Sequence, residues 1–436
     1  MTVIAIIGAG SVIFTRTVVS DLLQQEATRE CELRLFDVNA DALGAARSLV
    51  EQLREEAKSP GPTSAAADLH SCIRGADYVI CTILVGGRKA AINDFEITGR
   101  YGLRHTVGDT LGVAGISRAL RTAPVLLDIA RACESLAPNA VLLNYTNPMG
   151  MLVSAVGRAS GFPTVGLCHS AEHTVLGLAD YLGVPAGRLQ WHSAGINHLA
   201  WILELALDGR DLYPDLATAA SRPEIYDCDR VRFELMKRVG YFVTESSKHV
   251  AEYVAFFIDK PAEVERLQIP VGEFLARQPV PIAEQLARAG AGERMLQPKS
   301  KEYAPALIAA RESNADWAFQ GNVMNDGVID NLSGRMCVEV PCLVKKGRIA
   351  PVRVGRLPTA PAALSQQSLT VQELAVEAVL AGDRDLLAQA VMLDPQASAT
   401  LTLSEIWRLV DDLVEAAPDP GRYESKRLVR FDEVPG

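Results

Sequence analysis

Residues 1–15, MTVIAIIGAGSVIFT, decide the fold: an apolar run from Thr2 to Ile7 is closed by Gly8-Ala9-Gly10-Ser11. The run predicts a buried parallel strand, and the glycines predict a tight turn into a helix over Thr15 to Gln25 whose N-terminal N–H groups attract phosphate. A second strand-like segment, Cys31 to Phe36, ends at Asp37. An acidic side chain there accepts hydrogen bonds from a ribose 2′-hydroxyl and repels a 2′-phosphate. Gly8, Gly10, Ser11 and Asp37 therefore predict a dinucleotide seat, with NAD favoured over NADP. The third glycine of such a turn is missing; Ile13 or Phe14 stands in its place, so the helix is expected to pack a little farther from the strand.

Downstream, helical and strand-like segments alternate. Ala40 to Glu56 and Ala114 to Leu136 read as helices, and Asp77 to Ile83, Ala140 to Asn144 and Pro163 to Val165 read as strands. Such alternation predicts an α/β fold, a Rossmann-like doubly wound parallel sheet over about residues 1–190. Thr82, Val85-Gly86-Gly87 and Asn144 to Pro148 would then arrive at the carboxyl ends of strands, where a cofactor lies, with Thr82 and Asn144 as contacts.

From Trp191 the pattern changes to mixed α+β, predicting a second domain over 191–436. Trp201 to Leu207 alternates like a strand, Val231 to Phe242 and Ser247 to Phe257 look helical, and Pro261 to Leu307 reads as a polar, helical excursion. Two short strands around Lys345-Lys346-Gly347 predict a hairpin, and helices are expected over Leu369 to Ala390 and Leu403 to Ala417.

With 436 residues, two or three lobes are expected. A net charge of −10 and the lack of a basic run argue against nucleic acid or an anionic membrane as partner. The eight cysteines have no paired spacing and read as reduced thiols of a cytoplasmic protein. No signal peptide and no membrane span are expected. A small-molecule partner follows.

Two further segments carry chemistry: Gly166-Leu167-Cys168-His169-Ser170 and Gly195-Ile196-Asn197-His198-Leu199. A thiolate and an imidazole, each ending an apolar segment, offer soft and borderline ligands to one divalent ion. Taken alone, Cys168 reads as readily as a small buried hydrophobe and His198 as a core histidine.

The wider set of motifs resembles glycoside hydrolase family 4, the NAD- and divalent-metal-dependent glycosidases, and within it the α-galactosidase-like branch. The matching segments are the GAGS turn, LFDVNADAL (35–43), VGDTLGVAGISRALRT (107–122), NYTNPMG (144–150), GLCHS (166–170), GINHLAW (195–201), TESSKHVAEY (244–253) and NVMNDGVIDNLSGRMCVEVPC (322–342). The resemblance implies Cys168 and His198 as ligands of Mn²⁺ or another divalent metal, Asn147 as a contact to a substrate hydroxyl, and Asp109 as an acidic site residue. It implies a glycoside substrate and a homodimer or homotetramer.

The implied reaction departs from two-carboxylate glycosidases. The sugar is oxidised at C3 by NAD, deprotonated at C2, loses its C1 substituent, adds water and is reduced again. Tyr253 is the favoured base, with Tyr241 and Asp259 as competitors; Asp109 and His169 are candidates for protonating the leaving oxygen. Without the resemblance, Asp109 reads as a helix cap and Tyr253 as a packing aromatic. A uronidase, acting on a galacturonide or glucuronide, would need a cation such as Arg118, Arg121 or Lys248 beside the substrate. A plain hydroxy-acid dehydrogenase would share the nucleotide half and release NADH.

Overall fold

The structure, a computed structural model, describes residues 1–276 and 294–426. Strand β1 (Val3–Ile7) is buried along Ile4 to Ile7, as a strand covered on both faces requires. Around it lie β2 (Glu32–Phe36), β3 (Thr63–Ala65), β4 (Tyr78–Cys81), β5 (Val141–Asn144) and β6 (Thr164–Leu167). They pair in the order β3-β2-β1-β4-β5-β6, every pair parallel. This is the dinucleotide-fold order, and its direction of growth reverses between β1 and β4. The crevice at their carboxyl ends is where Gly8, Asp37, Thr82 and Cys168 emerge.

The first helix, Val12–Leu23, is tied to the turn by Thr15, whose buried hydroxyl donates to the Ala9 carbonyl at 2.8 Å. Ile13 points outward at 61 % exposure. The missing third glycine therefore meets no opposing backbone, and the looser packing expected from it is not needed.

The sheet continues without a break across residue 190. It gains β7 (Leu189–Ile196), β8 (Leu199–Leu207), β9 (Arg210–Asp211), β10 (Phe242–Val243), β11 (Trp317–Met324), β12 (Cys337–Lys345) and β13 (Arg348–Pro351). β11 enters antiparallel to β6, with Gly321 opposite Leu167 and Asn322 opposite Gly166. From there the order is β11-β12-β7-β8-β10, all antiparallel, giving 13 strands among the described residues. The two expected lobes share one sheet.

The hairpin at Lys345-Lys346-Gly347 forms as β12–β13. Three helix limits differ from expectation, each for a local reason. The helix Arg230–Val239 stops at Gly240 (φ +85°), leaving Phe242 and Val243 to pair with β8. The helix Ser247–Tyr253 ends where Val254 turns extended. The expected single helix over Leu369 to Ala390 is two, Thr359–Ala381 and Arg384–Leu393. Gly382 ends the first in the left-handed region, and the Asp383 carboxylate caps the second. The 261–307 segment contains helices Pro261–Leu267, Glu273–Ala276 and Tyr303–Glu312, while 277–293 lie outside the described residues. No described helix is long and apolar enough to cross a membrane.

Candidate active site

At the end of β1 the Gly8 and Ala9 N–H groups both donate to the Phe36 carbonyl, at 2.9 and 3.1 Å. Gly8 has φ +87°, and a Cβ there would fall 2.5 Å from the Thr82 carbonyl oxygen. A Cβ on Gly10 would fall 2.6 Å from the Asp37 carboxylate. Asp37 is itself fixed by N–H groups of Gly10 (2.8 Å) and Asn39 (2.9 Å). Ser11 is exposed and makes no side-chain cap. Two glycines that tolerate no side chain, ending on a fixed carboxylate, fit a dinucleotide with a free 2′-hydroxyl.

Asn144 ends the neighbouring strand β5. It is fully buried, and its amide donates to the Thr146 carbonyl (2.9 Å) while its carbonyl accepts from the Thr146 N–H (3.2 Å). Its side chain braces the loop that leads to Asn147.

Beside the seat opens a cavity of about 560 Å³ whose wall includes Thr82, Asp109, Asn147, Cys168, His169 and His198. Cys168 follows β6 directly, and His198 occupies the two-residue turn of the β7–β8 hairpin with φ +65°. Glu245, φ +73°, lies in the stretch between β10 and the helix Ser247–Tyr253, which carries His249. Left-handed backbone at a non-glycine residue costs of order 1–3 kcal/mol, and such residues cluster where a side chain must be aimed. Both side chains are aimed at the same point. His198 Nε2 is 4.0 Å from Glu245, and His249 is 3.5 Å from Glu245 and 3.9 Å from Asp109.

Asp109, His198 and His249 each present a ligand atom within 4.8 Å of the others, a spacing that fits one metal ion. Asp109 does not cap a helix: the helix Gly112–Leu136 begins after Leu111, with no side-chain cap. Its carboxylate accepts from Thr110 (2.7 Å) and Asn147 (3.2 Å). The loop that presents it is held from behind by Glu252, which accepts from the N–H groups of Thr106, Val107 and Gly108. Asn147 Oδ1 is buried without a partner, a vacancy that suits a sugar hydroxyl.

The charges are mutually set. Burial opposes charge on His198, but Cys168, Glu245 and Asp109 outweigh it and push its pKa up to about 10. Burial would raise the Asp109 carboxyl; Arg118, His198 and His249 overcome this and hold it below the usual range. That favours Asp109 as an anionic ligand over a proton donor. His169 lies 3.4 Å from Glu302, whose hydrogen bond raises its pKa and keeps it a proton carrier.

Tyr253 is buried behind this wall, its hydroxyl 3.2 Å from His198 Nδ1. Burial, then Glu252, Asp109 and Glu245, push its pKa well up. Tyr241 packs edge-on to Tyr213, and Asp259 interacts with Gln396, Lys260 and Arg104. None of the three lines the cavity among the described residues, and of them Tyr253 is the one hydrogen-bonded to a residue that does, His198. The sequence reading missed His249, Glu245 and Glu302. His249 lies in the quoted segment TESSKHVAEY, four residues after Glu245, which precedes the helix; Glu302 has no local signal.

The family model for family 4 glycosyl hydrolases matches residues 3–184, and that for the family's C-terminal domain matches residues 193–397. An α-galactosidase of Bacillus subtilis is 40 % identical over 96 % of this chain and 99 % of its own. An α-galactosidase of Rhizobium meliloti is 33 % identical over 95 % of this chain and 88 % of its own. A solved 6-phospho-α-glucosidase from gut microorganisms, in complex with NAD and Mn²⁺, superposes with a TM-score of 0.78 at 18 % identity, covering 98 % of this chain and 100 % of that one. The chain belongs to glycoside hydrolase family 4.

Proposed function

We propose that this protein is an NAD- and divalent-metal-dependent α-glycosidase acting on neutral α-galactosides. In this reading the sugar is oxidised at C3, deprotonated at C2, loses its C1 substituent, adds water and is reduced at C3. When bound, NAD would supply a reversible hydride acceptor and the metal, Mn²⁺ by likeness to the solved relative, a Lewis acid for charge on sugar oxygens.

Gly8, Gly10, Ser11, Asp37 and Thr82 are assigned to the dinucleotide, and Cys168 and His198, joined by Asp109 and His249, to the metal. Asn147 accepts a sugar hydroxyl on its unpartnered Oδ1. His169, whose pKa is raised by its hydrogen bond to Glu302, delivers a proton to the leaving oxygen. Tyr253 takes the C2 proton. Its hydroxyl, 3.2 Å from His198, needs a nearby cation to bring it into range. Glu245, on the cavity wall, is the rival for that proton.

The lack of a free Arg or Lys on the described wall carries the choice of substrate. Asp109, Glu245 and Glu302 are its carboxylates, and its one Arg or Lys among the described residues, Arg232, is already paired with Asp229. Of the cations a uronate would need, Arg121 grips Asp94 and Lys248 pairs with Glu273, while Arg118, 3.8 Å from the site's Asp109, is not on the cavity wall. With Arg232 already paired, the described wall offers no free Arg or Lys to hold a carboxylate or phosphate on the sugar. Comparing 4-nitrophenyl α-galactoside with the matching α-galacturonide is the check. Preference for the neutral sugar is expected, and preference for the uronide would overturn the assignment.

A further inference from the structure

A second cavity, of about 610 Å³, adjoins the first. Glu302 lines both. The first turns of the helix Ser170–Leu182 form the partition: Ser170, His173 and Thr174 face the catalytic cavity, while Glu172 and Val175 face its neighbour. The lining is unlike that of the catalytic cavity. Trp317 and Phe319 stack at 5.1 Å with an interplanar angle of 9°, Tyr303 meets both rings edge-on, and Trp191 is half-buried on the wall.

Polar groups interrupt the rings. Lys301 pairs with Glu172 at 3.2 Å on the wall. Gln320 is 3 % exposed, yet its Oε1 has no hydrogen-bond partner. A buried acceptor left unpaired is unfavourable, and a hydroxyl-rich ligand would satisfy it.

Aromatic faces beside hydrogen-bonding side chains match a pyranose, which has apolar C–H faces and a hydroxyl rim. Position supplies the rest. His169 and Glu302, assigned to the leaving oxygen, stand at the boundary, so a group departing from C1 past them enters this second space. We propose that the cavity is the subsite for the aglycone sugar of an α-galactosyl oligosaccharide, held by Trp317, Trp191 and Gln320. The inference rests on the α-galactosidase reading above.

Kinetics with an α-1,6-galactosyl-glucose disaccharide and with methyl α-galactoside, whose aglycone is too short to reach the rings, provide the test. Trp317→Leu and Trp191→Ala are each expected to lower kcat/KM for the disaccharide about tenfold, through KM, a loss equivalent to one aromatic contact. Methyl α-galactoside should change less than about twofold. Equal loss on both substrates, no loss on either, or a loss that follows a change in sedimenting mass would overturn the subsite; the last would assign the cavity to a second copy of the chain. If the unaltered enzyme cleaves neither galactoside, the functional reading has failed, and glucose alone is titrated against tryptophan fluorescence. Quenching that disappears in Trp317→Leu supports a sugar site, and a flat titration overturns it.

Discussion

The parallel half of the sheet, β1 to β6, and the antiparallel half, β7 to β13, contribute to the site by different means. The parallel half places Gly8, Asp37, Thr82 and Cys168 simply by ending strands, because the carboxyl ends of a doubly wound sheet converge on one crevice. The antiparallel half aims its groups by local strain and bracing. His198 stands in a hairpin turn at φ +65°, Glu245 lies at φ +73°, and His249 projects from a short helix. In the proposed reading the topology of the first half supplies the cofactor seat, and the metal site draws Asp109 and Cys168 from the first half and His198 and His249 from the second. Cys168 stands at the seam where β6 meets β11.

If the halves are separable in this way, exchanging single residues should split the two binding events. Gly8→Ala should abolish NAD binding measured by calorimetry, since its Cβ would fall 2.5 Å from the Thr82 carbonyl oxygen, while Mn²⁺ affinity stays within about twofold. His198→Ala should do the converse, with turnover down about a thousandfold. Loss of both ligands in either variant would break the comparison.

Tyr253→Phe sharpens it further. As the base, Tyr253 accounts for an exchange of the C2 proton that falls about a thousandfold in the variant while Mn²⁺ affinity changes little. A roughly tenfold loss of Mn²⁺ affinity that exchange merely follows would make Tyr253 a support for His198 and give the proton to Glu245.

The sequence made the first half legible because its signals are local: glycines after an apolar run, an acid at the end of the next strand, polar residues at strand ends. Cys168 and His198 were legible only because each ends an apolar segment inside a recognisable motif. Asn144 carried the same strand-end signal, and its amide braces the loop toward Asn147 through Thr146, a bond that no sequence pattern announces. Glu302 is distant from every motif, and it meets His169 only through tertiary packing. Nor does alternation within Trp317 to Met324 reveal that this strand pairs with β6 and fuses the two halves into one sheet.

A smaller effect separates His169 from its partner. Glu302→Gln removes the hydrogen bond and charge that raise the His169 pKa, so the imidazolium deprotonates earlier and the alkaline limb of kcat moves to lower pH. An unmoved limb would remove His169 as the proton donor.

The smallest effect is on stability. Glu339, fully buried under the His198 turn and bonded by Asn197 at 2.9 Å, has its pKa raised by burial from 4.5 to about 7. The folded state therefore binds the proton more tightly than the unfolded chain. The resulting stability is present below pH 4.5 and lost as pH rises through about 7. Glu339→Gln should flatten the fall in Tm across that window, and an unchanged slope would place the titration elsewhere.

The most direct test of the oxidation–elimination account is hydrolysis of 4-nitrophenyl α-galactoside in D₂O with NAD⁺, Mn²⁺ and a thiol reductant, reading C2 of the released sugar by NMR. The account predicts deuterium at C2 with no net NADH. Cleavage with C2 still carrying its original proton would contradict it.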